Sequence, residues 1–231
     1  MSTYLIIGAS SGIGKSLSQE LRSSGHHVIG TYNKTETSSD ENMFLHHLDV
    51  LAENMSLDFL PDTLDGIVYC PGSINLKPFE RIKPEDFLSD YSLQVVGAIR
   101  VLQAAISKLK KSDNASIVFF STVAVQMGFP FHTQVSASKG AIEGLTRALA
   151  AEYSPTIRVN CIAPSLTDTP LAATLLNTDQ KREANALRHP LKRFGTSEDI
   201  SNMAAFLLSE KSSWMTGQVL RVDGGMSSLK I

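Results

Sequence analysis

Three glycines spaced at i, i+4 and i+6, Gly8, Gly12 and Gly14, follow directly on the apolar run Leu5-Ile6-Ile7 and lead into a segment of helical period. That order reads as strand, tight turn and helix. Glycine opens backbone conformations closed to other residues and lets a ligand approach the main chain. A helix starting near Ile13 aims unpaired amide hydrogens and its positive dipole end at the same place. The stretch from Gly8 to Gly14, with Ser10, Ser11 and Ile13 inside it, is therefore predicted to hold a pyrophosphate. An ordinary glycine-rich turn is the alternative, because isolated glycine triplets carry a high false-positive rate. Two adjacent histidine pairs, His26-His27 and His46-His47, invite a metal reading. Neighbours on a strand point to opposite faces, so no metal site is expected there. Cys70 and Cys161 lie far apart on predicted strands without CxxC spacing, which suits reduced, mostly buried thiols.

The elements that must position these groups are legible in the pattern. A chain of 231 residues, 42% hydrophobic and 19% charged, can bury one sizeable core, and one domain over residues 1–231 is expected. Lys+Arg 21 against Asp+Glu 23 gives a net charge of -2, which offers no reason to expect nucleic acid or an anionic membrane as partner. No apolar run reaches the ~18 residues of a membrane span. The first strand begins too early for a secretion leader, so a cytoplasmic protein is expected.

A first helix over 13–23 closes at Gly25, and strands are predicted at 26–31 and 43–48, the latter ending at Asp49-Val50, with a polar loop over 33–42 between them. Further strands are predicted at 64–70, 115–121 and 157–163, and helices at 84–109 and 136–152. This alternation of apolar strands with helices argues for an α/β fold, a single Rossmann-type doubly wound parallel sheet with helices on both faces. In such a sheet ligands bind beyond the carboxyl ends of the strands, where Gly8, Gly72, Ser121 and Pro164 fall. Residues 170–195 have little strand character and are expected to form one or two helices over the mouth of the site, a lid. Thr196 and Asp199 form a cap-like start for a helix reaching 209. A last strand follows at 219–222.

With the segments in order, the chain resembles a short-chain dehydrogenase/reductase of the classical type along nearly its whole length. Gly8-Ala-Ser-Ser-Gly12-Ile-Gly14 matches that family's TGxxxGxG turn, with Ile7 in place of Thr. Asp49-Val50 matches its adenine-binding acid, and Tyr69-Cys70-Pro71-Gly72 stands at its NNAG position. Arg158-Val159-Asn160 through Pro164 and Thr169-Pro170 match RVNxxxPG…TP, with Ser165 replacing Gly. The resemblance implies a nicotinamide cofactor held by the glycine turn, Asp49, Val50, Gly72, Lys139, Pro164, Thr167 and Thr169. Where relatives that use NAD carry an acid, this chain has Tyr32, Asn33 and Lys34; no carboxylate would repel a 2′-phosphate and Lys34 could pair with it, so NADP is expected over NAD.

The resemblance also locates an altered active site. The family's Asn, Ser, Tyr and Lys correspond to Gln94, Thr122, Val135 and Lys139, and only the lysine is unchanged. Val135 and Lys139, at i and i+4, should face the site together. Valine carries no ionisable proton. His132, Lys139 or a water held by it, and more weakly Thr122, are the conceivable substitutes, although His132 on the loop before the helix could face solvent instead. Tyr153 is excluded, four to five turns away on the same helix. Two functions stay open: an NADP-linked reductase of a small carbonyl or activated alkene, and a catalytically weak or inactive cofactor-binding partner subunit or sensor. Small residues Gly140, Ala141, Gly144 and Ala148 permit close helix approach, and relatives pair there, so a homodimer or homotetramer is expected; packing within one chain is the simpler alternative.

Overall fold

The computed structural model describes residues 1–34 and 45–230. Among these, seven strands, Thr3–Ile7 (β1), His27–Tyr32 (β2), Leu45–His47 (β3), Gly66–Tyr69 (β4), Ala115–Phe120 (β5), Ile157–Pro164 (β6) and Val219–Val222 (β7), form one parallel sheet. Its order is β3-β2-β1-β4-β5-β6-β7. The chain therefore winds outward in one direction from β1 to β3 and in the other from β4 to β7. The crevice where the direction reverses lies at the carboxyl ends of β1 and β4. Register places Ile7 beside Tyr69, so the chain leaves both strands at one level, at Gly8 and Cys70.

Alternate residues of the strands feed two cores. Leu5, Ile7, Ile67, Ile117 and Val159 pack on one face against helices Gly97–Leu109 (α3) and Thr133–Tyr153 (α5). Tyr4, Ile6, Val68, Val118 and Ile162 pack on the other against Gly12–Ser23 (α1) and Ser197–Leu208 (α7). Each fully buried Leu or Ile of these layers contributes roughly 1.5–3 kcal/mol. The predicted doubly wound sheet covered on both faces is thus the fold observed. Buried Arg158 on β6 fastens the end of α7, its guanidinium donating to the carbonyls of Leu207, Ser209 and Ser212. Thr196 and Asp199 make the reciprocal cap expected before α7. No helix of the described residues is long and apolar enough to cross a membrane.

Most predicted boundaries move by one or two residues, and three elements differ by more. The helix expected over 84–109 is helix Pro84–Tyr91 (α2) and α3 joined by a π-turn at Ser92–Val96. The Tyr69 hydroxyl, reaching across from β4, donates to the Leu93 carbonyl at 2.6 Å, and a carbonyl so engaged is a recognised cause of such a bulge. The third strand is only three residues long, and positions 43 and 44 of its predicted span, like most of the expected 33–42 loop, lie outside the described residues. The helix expected from 136 begins at Thr133, with His132 as its cap residue. Each histidine of the pair on β3 has its own aromatic partner, His46 stacked on Phe59 and His47 edge-on to Tyr32, as residues on opposite strand faces should. Among the described residues no group of three or more His, Cys, Asp or Glu side chains is placed to hold a metal.

Candidate active site

A cleft of about 590 Å³ opens at the carboxyl ends of the strands. Gly8, Ser11, Gly12, Ile13 and Gly14 line one end of it, and Gly72, Gln94, Thr122, His132, Val135, Lys139, Pro164, Thr167 and Thr169 line the rest, together with Asn33. Ser10 is buried behind the turn. Lys34, exposed, and Asp49 and Val50 lie off this cleft, next to the ends of β2 and β3. Asp49 is committed in part to its own turn, accepting from the Leu51 amide at 2.9 Å. Val50 is buried against Gly97.

The glycine turn has the properties an anion site needs. Gly8 and Gly12 have φ of 82° and 52°, in the left-handed region that favours glycine. Gly14 has no room for a side chain, since a Cβ there would lie 2.2 Å from the Gly8 carbonyl oxygen. The first turn of α1 carries no acidic side chain, and Ser11 at its cap makes no side-chain hydrogen bond to it. Positive dipole and free amides are thus left to the cleft.

At the other end, Val135 and Lys139 face the cleft together, as their spacing predicts. Lys139 Nζ and Gln94 Oε1 flank the floor at Gly72, where a Cβ would lie 3.7 Å from the first and 3.5 Å from the second. Gln94 is oriented by a residue the sequence reading did not single out. Its amide nitrogen donates to both oxygens of Asp90 at 2.8 Å each. Because a carboxylate only accepts, the amide oxygen must turn away, and it stands buried without a partner in the protein. Asp90, itself buried, accepts further from Ser138 at 2.5 Å and from Ser73. An acceptor left open beside a lysine, in a cleft with a glycine floor, suits the ribose hydroxyls of a nucleotide.

Burial lowers the Lys139 pKa to about 8, against the pull of Cys161, Asp90 and Cys70. The sign of the stability effect follows. Between about pH 8 and the ordinary lysine value the unfolded chain holds a proton that the folded one does not, so stability rises with pH across that window. Below it the fold bears the cost of a desolvated ammonium. Lys139→Met is therefore expected to melt higher than the parent at pH 7, with the difference fading above about pH 8, measured by thermal unfolding across pH.

The remaining predicted groups fall as follows. His132 is on the cleft wall rather than turned wholly to solvent, with Nδ1 hydrogen-bonded to the Pro130 carbonyl at 2.7 Å. Thr122 lines the cleft, its hydroxyl oxygen accepting from the Ala124 amide at 3.2 Å. Cys161 is buried as expected, but Cys70, beyond the end of β4, reaches the cleft surface. Burial pushes the Cys70 thiol up to about 12, which leaves it protonated and unreactive. Sequence reasoning also missed Ser165 and His189, cleft residues joined by a hydrogen bond of 2.8 Å across 24 positions of chain. The one signal was the departure from the family's glycine at Ser165.

A family model described as enoyl-(acyl carrier protein) reductase matches residues 8–227. The chain belongs to the short-chain dehydrogenase/reductase family, oxidoreductases that bind nicotinamide cofactors and act on small molecules. It is 32% identical to the 3-oxoacyl-(acyl-carrier-protein) reductase FabG of Thermotoga maritima, over 96% of this chain and 96% of that one. It is 37% identical to the inactive 2-(S)-hydroxypropyl-CoM dehydrogenase 2 of Xanthobacter autotrophicus, over 72% of this chain and 74% of that one. Among solved structures, ElxO with NADP bound superposes with a TM-score of 0.88 at 26% identity, covering 99% of this chain and 100% of that one.

Proposed function

We propose that the protein, acting as one domain over residues 1–231, is an NADP-linked reductase of small carbonyl compounds or activated alkenes. The observation that carries this reading is the meeting in one cleft of a glycine turn without acidic neighbours, an open Gln94 acceptor and Lys139. The turn residues Gly8 to Gly14 would hold the pyrophosphate, Asp49 and Val50 the adenine end, and Lys139 with Gln94 the nicotinamide ribose. Pro164, Thr167 and Thr169 would border the nicotinamide. When bound, the reduced nicotinamide supplies the hydride. Thr122 and the groups around it orient the acceptor carbonyl, and Val135 obliges the proton to come from elsewhere in the cleft. The segment over 170–195, with its short helix Asp179–Leu187 (α6), would close over substrate as a lid. Gly144, exposed on α5 with nothing within 4 Å of a Cβ, and exposed Ala148 leave a flat face for a second copy, in a homodimer or homotetramer.

The preference for NADP rests on Lys34 and on the lack of a carboxylate at Tyr32 and Asn33. Lys34→Glu is expected to weaken NADPH about tenfold and NADH by much less, since it exchanges a charge-assisted contact for a repulsion. Equal weakening of both in parallel titrations would remove the 2′-phosphate from the reading. The activity itself is tested by following NADPH oxidation over a panel of ketones, quinones and enones. Cofactor binding without oxidation across that panel would replace the reductase by the second reading, a cofactor-binding subunit or sensor without turnover. That second reading is favoured by Val135 and by the similarity to a relative named inactive.

A further inference from the structure

We propose that Ser165 and His189 form a proton relay that takes over the work of the missing phenol, a role that rests on the reductase reading and extends it. His189 is buried, 2% exposed, at the C-terminal end of the lid helix α6. Its Nδ1 lies 2.8 Å from the Asn185 carbonyl oxygen, an atom that only accepts, so Nδ1 carries a hydrogen. In the neutral ring Nε2 is then a lone pair, and it meets the Ser165 hydroxyl at 2.8 Å. The serine follows Pro164 at the end of β6, and the Val123 amide donates to the Pro164 carbonyl at 3.1 Å, which sets Ser165 close to the Thr122 segment that would orient a carbonyl.

The two protonation states of the ring give the hydroxyl opposite duties. With neutral His189 the Ser165 proton goes to Nε2. With the imidazolium, Nε2–H donates to Ser165 Oγ, and the serine proton is released toward the cleft, where it meets the Met226 thioether at 3.0 Å. A thioether accepts weakly and yields readily to a developing alkoxide. As hydride reaches the carbonyl carbon, the C=O π electrons move to oxygen. That oxygen takes the proton of Ser165 Oγ, Oγ takes the proton of His189 Nε2, and the imidazolium ends as neutral imidazole. A second cavity of about 170 Å³, which Ser165 and His189 also line, offers a route by which solvent would restore the proton.

The charged groups around the ring have other engagements. Arg188 lies over the Phe129 ring, Asp223 in the turn beside Gly224 accepts from the Gly225 and Ser227 amides, and Arg193 pairs with Asp199. None of them is paired with the imidazole, whose partners are the Asn185 carbonyl and the Ser165 hydroxyl.

The test combines kinetics with a readout that needs no cofactor. Ser165→Ala and His189→Gln are assayed for NADPH-dependent reduction across pH beside the parent and Val135→Tyr, and NADPH affinity is titrated directly. The relay predicts that kcat/KM of the parent declines as rising pH removes the imidazolium. Either substitution should lower it by about 10²-fold, erase that decline and leave NADPH affinity within threefold. Restoring the phenol in the same chain should shrink the penalty of Ser165→Ala at least tenfold. Independently, NMR of the imidazoles in the nucleotide-free protein should show His189 with its proton on Nδ1 and an Nε2 resonance that moves in Ser165→Ala. Full rates and an unchanged pH profile in both variants, or a His189 whose single proton sits on Nε2, overturn the relay while the reductase reading stands. A parent and a Val135→Tyr protein that both bind NADPH yet reduce nothing overturn the reductase reading and the relay with it.

Discussion

Gly14→Ala is expected to abolish nicotinamide nucleotide binding, with at least a hundredfold loss of NADPH affinity, about 2.7 kcal/mol. The single added carbon would stand 2.2 Å from the Gly8 carbonyl oxygen, 3.0 Å from its carbonyl carbon and 3.3 Å from Ala9 Cα. All three are backbone atoms of the turn itself, so no side chain can swing aside to relieve the overlap. Helix α1 must move off the turn, and the amide hydrogens that should converge on a pyrophosphate then diverge from it. Overpacking of this kind costs about 1–3 kcal/mol of stability besides, which for a chain of this size lowers the melting temperature by roughly 2–4 °C per kcal/mol. Isothermal titration of the folded variant beside the parent, with melting curves for both, separates the two losses. A variant that binds NADPH as tightly as the parent would show that the cleft grips its ligand elsewhere.

In a Ser165→Ala background, where no relay competes, Val135→Tyr is expected to raise NADPH-dependent ketone reduction by about 10² to 10⁴, the usual worth of a positioned acid. Val135 is 7% exposed and faces the same cleft as Lys139, one helical turn away, so a phenol placed there projects beside the ammonium that would favour its ionised form. Cofactor affinity should change little, because the pyrophosphate turn lies at the other end of the cleft. Initial rates with small ketones, normalised to sites counted by NADPH titration, give the comparison. Equal rates for Ser165→Ala and the double variant would mean that a phenol at position 135 does not reach the acceptor.

How far the sequence carried these expectations follows from the reach of each signal. The glycine turn, the alternation of strands and helices and the pairing of Val135 with Lys139 depend on neighbours within a few positions, and each is observed where its pattern placed it. The π-turn at Ser92–Val96 was illegible because its cause, the Tyr69 hydroxyl on Leu93, comes from a strand more than twenty residues earlier. Asp90 was passed over for a similar reason. On a helix of ordinary polarity it reads as a surface acid, and only packing against Ser138, 48 positions on, buries it. Ser165 and His189 were hidden likewise, since neither residue suggests the other until the chain after α6 returns to the end of β6.

Every proposed role rests on a nicotinamide dinucleotide bound at the glycine turn, and fluorescence titration of the purified protein with NADPH tests this directly. Saturable binding is predicted, half-complete below about 100 µM, present in the parent and in Val135→Tyr and absent in Gly14→Ala. A folded parent protein that leaves NADPH and NADH fluorescence unchanged up to about 1 mM, near the weak end of specific affinities, would contradict it.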